Sequence, residues 1–277
     1  MQASVIIPTY KGARLIPYAL ASLAKQSFKD FEVVIITKPS GDGTERIVDE
    51  ICHDLDLQHE ILIQKEGYFT RALNMGLRSA EGEILLFTDD DAIFPKDWIE
   101  SHINAHAKSK NMGAVSGADI DYQMMLSMPK LSVVAKKHIV SRSHRAWQVV
   151  RTIFNPPHQL FRKYKLGIYI TQAFRVAAGF SIPHRSCLSL PVRGVNMSFK
   201  RAAIGDSIFP EHYLLKIAPN NEQYFAVQLV LQGWESMYNP QIQVHHITRT
   251  GLSKSTRNNM ERELVRLMLM KLLREYT

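Results

Sequence analysis

Apolar positions follow two rhythms over the first 118 residues. Residues 5–7 and 31–36 are continuously apolar, the pattern of a strand covered on both faces, whereas residues 13–26 carry Leu15, Leu20 and Leu23 near the spacing of a helix. After the loop Pro39-Ser40-Gly41-Asp42-Gly43 comes a helix over 44–52 with Thr44 as its N-cap, then a strand over 61–63, a helix over 70–79 ended by Gly82, and a strand over 83–87. A helix over 96–108 and a strand over 114–117 complete the series. Strand and helix in turn predict βαβ units, hence an α/β fold with a mostly parallel central sheet flanked by helices.

Beyond residue 118 the alternation is lost. Two helix-like stretches, 131–150 and 159–174, are followed by a helix over 213–232 that carries Glu222, a short strand over 241–245 and a terminal helix over 257–276. The terminal helix has a broad apolar face of Leu264, Val265, Met268, Leu269, Leu272 and Tyr276. Such a face fits docking on the chain's own core, on a membrane or on a second subunit, and core packing is the commonest of the three.

With 277 residues, 45% of them hydrophobic, the chain can bury a sizeable core, and it reads as a single domain. Cys52 and Cys187 are far apart and form no metal-type pair, so a reducing, cytoplasmic compartment is expected rather than a disulfide framework. The apolar run at 5–7 is too short for a secretory signal, and the stretch 264–273 is broken by Arg266 and Lys271, short of the ~20 residues of a membrane span. A soluble or peripheral protein is expected.

The charge is uneven. Between Asp121 and Asp206 there is no acidic residue but there are fourteen Lys and Arg, which leaves 20 basic and 26 acidic residues elsewhere in a chain of net charge +8. Lys136, Lys137, Arg142, Arg145, Arg151, Arg162, Lys163 and Lys165 are interleaved with Trp147, Phe154, Phe161, Tyr164 and Tyr169, the composition of an interfacial segment facing anionic lipid. The same residues could hold nucleic acid, but no recognised nucleic-acid module accompanies them, and that reading ranks lower.

The sharpest chemical feature is Asp89-Asp90-Asp91, directly after the apolar strand 83–87. Adjacent carboxylates at the end of a buried strand repel one another, and a divalent cation relieves that repulsion. Hard cations such as Mg²⁺ or Mn²⁺ take oxygen ligands, often one or two carboxylates plus substrate phosphates. The alternative is a solvated acidic turn, which the preceding apolar strand disfavours.

Ser4-Val5-Ile6-Ile7-Pro8-Thr9-Tyr10, Leu20-Ala21-Ser22-Leu23 and the segment from Gln26 to Ile35 resemble the start of the family-2 inverting glycosyltransferases of GT-A fold. Glu81-Gly82-Glu83-Ile84-Leu85-Leu86-Phe87-Thr88-Asp89-Asp90-Asp91, followed by Pro95 and Trp98, is similar to that family's strand ending in a DxD metal motif. Arg193-Gly194-Val195-Asn196-Met197-Ser198-Phe199 resembles its G-x-N acceptor-side strand. Asn221-Glu222 ahead of Gly233 and Val244-His245-His246 resemble its late acidic and histidine positions.

The resemblance implies a metal-dependent transfer of sugar from a nucleotide-diphosphate sugar to an acceptor hydroxyl, with Mn²⁺ or Mg²⁺ as cofactor. Residues 1–118 would form the nucleotide-sugar half, 119–247 the acceptor half with the basic segment, and 248–277 a C-terminal amphipathic helix. Pro8, Thr9 and Tyr10 would line the nucleotide crevice, and Asp89 would face ribose or metal. Asp90 or Asp91 would ligate the metal, as would His246 or, in its place, His245. Glu222 stands where the family has its catalytic base, normally an aspartate. Arg71 would reach the diphosphate or lie in solvent. Thr37-Lys38-Pro39 replaces an expected acidic pair, so the carboxylate that reads the nucleobase is missing, and Lys38 meets a phosphate or solvent. The acceptor would be a lipid-linked or polysaccharide glycan, and the protein peripheral on the inner face of the cell membrane. A non-catalytic binder of sugar nucleotide or nucleic acid is the alternative.

Overall fold

A computed structural model describes residues 1–121, 155–182, 184–247 and 257–276. Strands β1 (Ala3–Thr9), β2 (Phe31–Thr37) and β3 (His59–Ile63) pair in parallel, and β4 (Ile84–Phe87) joins β1 on its other side, also in parallel. The sheet continues through β5 (Ala92–Ile93), β6 (Met112–Asp121), β9 (Cys187–Leu188), β10 (Met197–Lys200) and β11 (Glu235–His246). Its order is β3-β2-β1-β4-β10-β6-β11-β5, with β9 on the flank of β11. β10 runs antiparallel between β4 and β6, while β11 runs parallel to β6. A separate hairpin is made by β7 (Ile168–Ile170) and β8 (Val176–Ala178).

Every residue of β1 and β2 is buried, as continuous apolar runs require of strands covered on both sides. The period of two sorts them. Val5, Ile7, Val33 and Ile35 face α1 (Ile16–Ala24), α2 (Thr44–Asp54) and α4 (Trp98–Ala107). Ile6, Val34 and Ile36 face the other way, into the core shared with α3 (Phe69–Ser79), α6 (Asn221–Leu231) and α7 (Arg257–Arg274). A one-turn helix α5 (Arg201–Ile204) follows β10. Phe209 stacks on Phe225 with ring centroids 4.4 Å apart, and Phe199 meets Phe225 edge-on at 4.6 Å, filling the space under β10.

Val265, Leu269 and Leu273 place the apolar face of α7 on the chain's own core, while Tyr276 falls off that face and is exposed. Among the described residues no helix is long and apolar enough to cross a membrane.

Several expectations need correction. The stretch 159–174 is not a helix: a 3-10 turn over Gln159–Tyr164 leads into β7. Gly167 forces this, because it lies so close to Leu188 and Ser189 that an added Cβ would fall 2.4 Å from the Ser189 Cβ. The helix expected over 213–232 begins only at Asn221, since Pro219 excludes Ala218 from the helical region, and both Ala218 and Asn220 take positive φ. The short strand at 241–245 is the end of the much longer β11, and the segment 194–196 is a 3-10 turn before β10. Thr44 is not an N-cap: Gly43 holds that position with φ 80°, and the Thr44 hydroxyl instead ties two loops together. Phe161, Tyr164 and Tyr169 are core residues and offer no aromatic face to a bilayer, although Arg162, Lys163 and Lys165 are exposed. The expected helix 131–150 and Lys136, Lys137, Arg142, Arg145, Trp147, Arg151 and Phe154 lie outside the described residues.

Under the sheet, the side chains of α4 form a polar chain. Asn196 Nδ2 donates to the carbonyls of Ala118 (2.9 Å) and Ile242 (3.0 Å), which fixes its Oδ1 as the acceptor for the Trp98 indole (2.9 Å) and His102 Nε2 (3.0 Å). The Ser198 hydroxyl then bridges His102 Nδ1 (2.8 Å) and His106 Nε2 (2.9 Å), and His106 Nδ1 faces the Met112 carbonyl at 3.2 Å. Two neutral rings and one hydroxyl bring three hydrogens to these four contacts, so one stays unmade unless a ring becomes a buried cation. Burial opposes that and lowers His102 to about 3; it lowers His106 to about 4, with Lys200 adding to the effect.

A measurable consequence follows from the sign of these shifts. Both rings stay neutral in the fold yet ionise in the unfolded chain, so their contribution is complete above pH 6.5 and is lost as the pH falls below it. Each should cost about 1.4 kcal/mol per pH unit, or about 2.7 for the pair. Asp89, raised to about 7, contributes with the opposite sign over the same range, so the readout is the difference between proteins: in urea melts between pH 6 and 5, His106→Gln should be less pH-dependent than the parent by about 1 kcal/mol per pH unit. An unchanged slope in the variant would exclude His106 as its source.

Candidate active site

The turn after β4 carries the three aspartates to the carboxyl ends of the parallel strands, the crevice in which open α/β sheets hold ligands. β11 delivers the fourth group. Its register sets His246 opposite Ala92 of β5 and Asp121 of β6, and the Ile247 amide donates to the Asp91 carbonyl at 2.9 Å. A bulge between Tyr238 and Gln243, around Pro240, re-aims the strand before it reaches the site.

His246 is held from both sides. Its Nε2 lies 3.0 Å from Asp91 Oδ1 and its Nδ1 3.3 Å from Asp119 Oδ2, while Arg193 Nη1 meets the same Asp119 oxygen at 2.6 Å. Hydrogen bonds to Asp119 and Asp91 push His246 up to about 10 against the effect of burial. Burial pushes Asp89 up to about 7, with Asp91 repelling it further. For Asp119 burial also acts upward, but His246 and Arg193 outweigh it and the net shift is downward. His245 points elsewhere: its ring is half-buried, and burial lowers its pKa.

Asp89, Asp91 and His246 each offer one ligand atom, all within 4.8 Å of one another. Two carboxylate oxygens and one imidazole form an oxygen-rich donor set, and the surplus negative charge of Asp89 to Asp91 would be offset by a divalent cation. This donor set fits Mg²⁺ or Mn²⁺. Asp90 turns away: its Oδ2 accepts a short hydrogen bond from the Thr9 hydroxyl. Gly12 permits that contact, since an added Cβ would lie 2.0 Å from Thr9 Oγ1 and 2.5 Å from Asp90 Oδ2.

The other expected nucleotide-side residues divide. Pro8 and Thr9 end β1 and are buried, whereas Tyr10 is exposed. Lys38 Nζ donates to the Gly67 carbonyl at 2.7 Å and sits over the Tyr68 ring. Arg71 is exposed on the first turn of α3, its side chain lying back against Gly67. The Thr44 hydroxyl accepts from the Gly12 amide (3.1 Å) and donates to Asp42 (2.7 Å), whose other oxygen takes the Ala13 amide (3.2 Å), so the loops after β1 and β2 move as one.

Glu222 lies on the first turn of α6, near Arg193, and so adjoins the chain of charge running through Asp119 and His246 to Asp91. Burial raises its carboxyl, a shift partly offset by hydrogen bonds, including one from Gln223 Nε2 at 3.2 Å, and by Arg193. The approach to this turn is set by Glu261 of α7, a buried carboxylate whose Oε2 accepts the amides of Lys216 (3.1 Å), Ile217 (2.9 Å) and Ala218 (2.9 Å). Sequence reasoning missed Asp119, Arg193 and Glu261 as site-building residues. The available signal was the arginine already quoted in Arg193-Gly194-Val195-Asn196, and the acid spacing Asp119, Asp121 on an extended strand.

The profile of the family described as Glycosyl transferase family 2 matches residues 4–174, more than half of the chain. The uncharacterized glycosyltransferase YfnE of Bacillus subtilis is 34% identical over 113 residues, 40% of this chain and 29% of its own length. TarS of Staphylococcus aureus, a poly(ribitol-phosphate) beta-N-acetylglucosaminyltransferase, is 29% identical over 198 residues, 68% of this chain and 34% of its own. The chain thus spans about a third of the length of these curated relatives. The mannosyltransferase PcManGT of Pyrobaculum calidifontis, solved with GDP-Man and Mn²⁺, has a TM-score of 0.63 at 21% identity, covering 99% of this chain and 64% of that one. TarS 1–349 with UDP-GlcNAc has a TM-score of 0.59 at 19% identity, covering 92% and 61%. Such distant structural likenesses carry the fold alone; with the profile match, they establish that the chain is a member of glycosyl transferase family 2 with the GT-A fold.

Proposed function

We propose that the chain transfers a sugar from a nucleotide-diphosphate sugar to an acceptor hydroxyl, with inversion and with the help of a divalent metal. The observation that carries this reading is the convergence of Asp89, Asp91 and His246 at the strand ends, with Glu222 adjoining through Arg193. Supporting it, PcManGT was solved with a nucleotide sugar and Mn²⁺, and TarS with UDP-GlcNAc.

Asp89, Asp91 and His246 would hold the cation, which when bound supplies Lewis-acid stabilisation to the departing diphosphate. Thr9 and Asp90, locked together beside Gly12, shape the nucleotide wall of the crevice. Glu222 takes the proton from the acceptor hydroxyl. That oxygen then forms the new glycosidic bond to the anomeric carbon while the bond to the diphosphate oxygen breaks on the opposite face, so one base suffices and the configuration inverts. A raised pKa brings Glu222 closer to the operating pH of a general base. Lys38 has no acceptor and so does not replace the missing nucleobase carboxylate, while its ammonium keeps two donors beyond the one given to Gly67.

The test is release of nucleotide diphosphate from UDP-, GDP- and TDP-sugars with Mn²⁺ or Mg²⁺, in the presence of candidate glycan acceptors. Turnover of one donor that stops with chelator and with Asp91→Asn is the expected result. Turnover that persists in chelator would remove the metal from the mechanism, and no turnover or donor-induced thermal shift with any donor would leave a non-catalytic protein.

A further inference from the structure

On the α7 side of the molecule lies a cavity of about 420 Å³ that the proposed transfer does not use. It is a half-open recess bounded by the β7–β8 turn, the start of α6 and α7. The volume falls within the range of small-molecule sites and exceeds the space a single bare ion would fill. Phe174 and Leu269 give it an apolar floor, and Asn220 and Asn259 contribute amides to its wall.

Its charge is the notable property. Arg175, Arg262 and Arg266 line it against one acid, Glu263. Glu263 is engaged: Arg266 Nε (2.8 Å) and Nη2 (2.5 Å) both donate to its Oε1, while Arg266 Nη1 reaches the Ala173 carbonyl at 3.3 Å. Arg266 is thereby engaged with Glu263, and Arg175 and Arg262 leave a surplus of two positive charges. Among the described residues Arg262 makes no ion pair, and both it and Arg175 are exposed and able to turn toward a ligand. Paired guanidinium forks over an apolar floor match a phosphate oxygen set joined to a carbon skeleton. Arg175 also belongs to the acid-free interval of the sequence, so some of that basic surplus has a defined structural place.

We propose that this cavity binds a phosphate group joined to a carbon skeleton, a phosphodiester or sugar phosphate, at a site of its own. Asn220 in its wall and Glu222 stand two residues apart, a spacing that does not put two side chains on one face of a helix. The binding of phosphate here does not rest on the proposed transfer.

The two are separated by titrating the full chain calorimetrically in chelator, with glycerophosphoglycerol as the phosphodiester probe and with inorganic phosphate. The phosphodiester should bind the parent and Asp91→Asn alike and bind at least tenfold more weakly to Arg175→Gln/Arg262→Gln, with unchanged melting temperature. The single variant Arg262→Gln should show an intermediate loss. Equal binding in the double variant, loss of binding in Asp91→Asn, or binding of inorganic phosphate without the phosphodiester would each overturn the proposal. Retained phosphodiester binding in a protein that turns over no donor would leave the cavity assignment standing and refute the transfer.

Discussion

Glu222→Gln should lower kcat by about 10³, inside the 10²–10⁴ range of a positioned general base, while leaving donor affinity and melting temperature unchanged. The substitution is isosteric, and the side chain can still take the hydrogen bond from Gln223. The metal-type cluster stands on β4 and β11 rather than on α6, so donor binding has no reason to change. The pH profile adds a second readout. Activity needs the ionised carboxylate, so it is present above the folded pKa and lost as the pH falls through it; because burial raises that pKa, the acid limb set by Glu222 should lie above 4.5 in the parent and be lost from kcat in the variant at saturating metal. A kcat within threefold of the parent, with the acid limb intact, would place the base elsewhere.

The largest effect on stability is expected at Asn196. Four polar groups depend on its amide: the carbonyls of Ala118 and Ile242, the Trp98 indole and His102. Ile242, Trp98 and His102 are buried and Ala118 is half-buried around a side chain that is itself 1% exposed, so Asn196→Ala strands partners that water reaches poorly. At about 1–3 kcal/mol for each stranded group, a total loss of about 4 kcal/mol or more is expected, a large share of the 5–15 typical of a domain. Asn196→Asp should also be destabilising, because it keeps the acceptor but cannot donate to the two carbonyls. Urea unfolding decides; a loss below about 1 kcal/mol would mean that the surroundings re-pair without it.

How much of this was readable in advance depended on how local the signal was. β1, β2 and β4 announce themselves as continuous apolar runs, and Asp89 to Asp91 stand out because three adjacent carboxylates at the end of such a run repel one another. The two-residue strands β5 and β9 have no pattern to detect, since they exist only as partners of β11. Phe161, Tyr164 and Ile168 mimic a helical stripe, and only the close contact at Gly167, which is tertiary, rules the helix out. Asp119 and Arg193 are brought together across the sheet from distant parts of the chain, and no spacing rule links them. The contact of Lys38 with the Gly67 carbonyl was unreadable for the same reason, because that carbonyl lies after a different strand.

The place of β10 has a consequence for how the chain acquires its shape. It fills the slot between β4 and β6, pairing Met197 with Phe87 on one side and with Ser116 on the other. During synthesis the acidic turn after β4 therefore emerges next to an open strand edge, which stays open until residue 197 has left the ribosome. Closing it waits on contacts of long sequence separation, which slows folding and leaves apolar edges uncovered meanwhile. Asn196, arriving immediately ahead of β10, can bond β6 through the Ala118 carbonyl as the gap is filled, and ties β6 to β11 only later, once Ile242 has emerged. The order of translation thus makes the metal-type cluster one of the last parts of the molecule to assemble, after the surface that would hold the nucleotide is already in place.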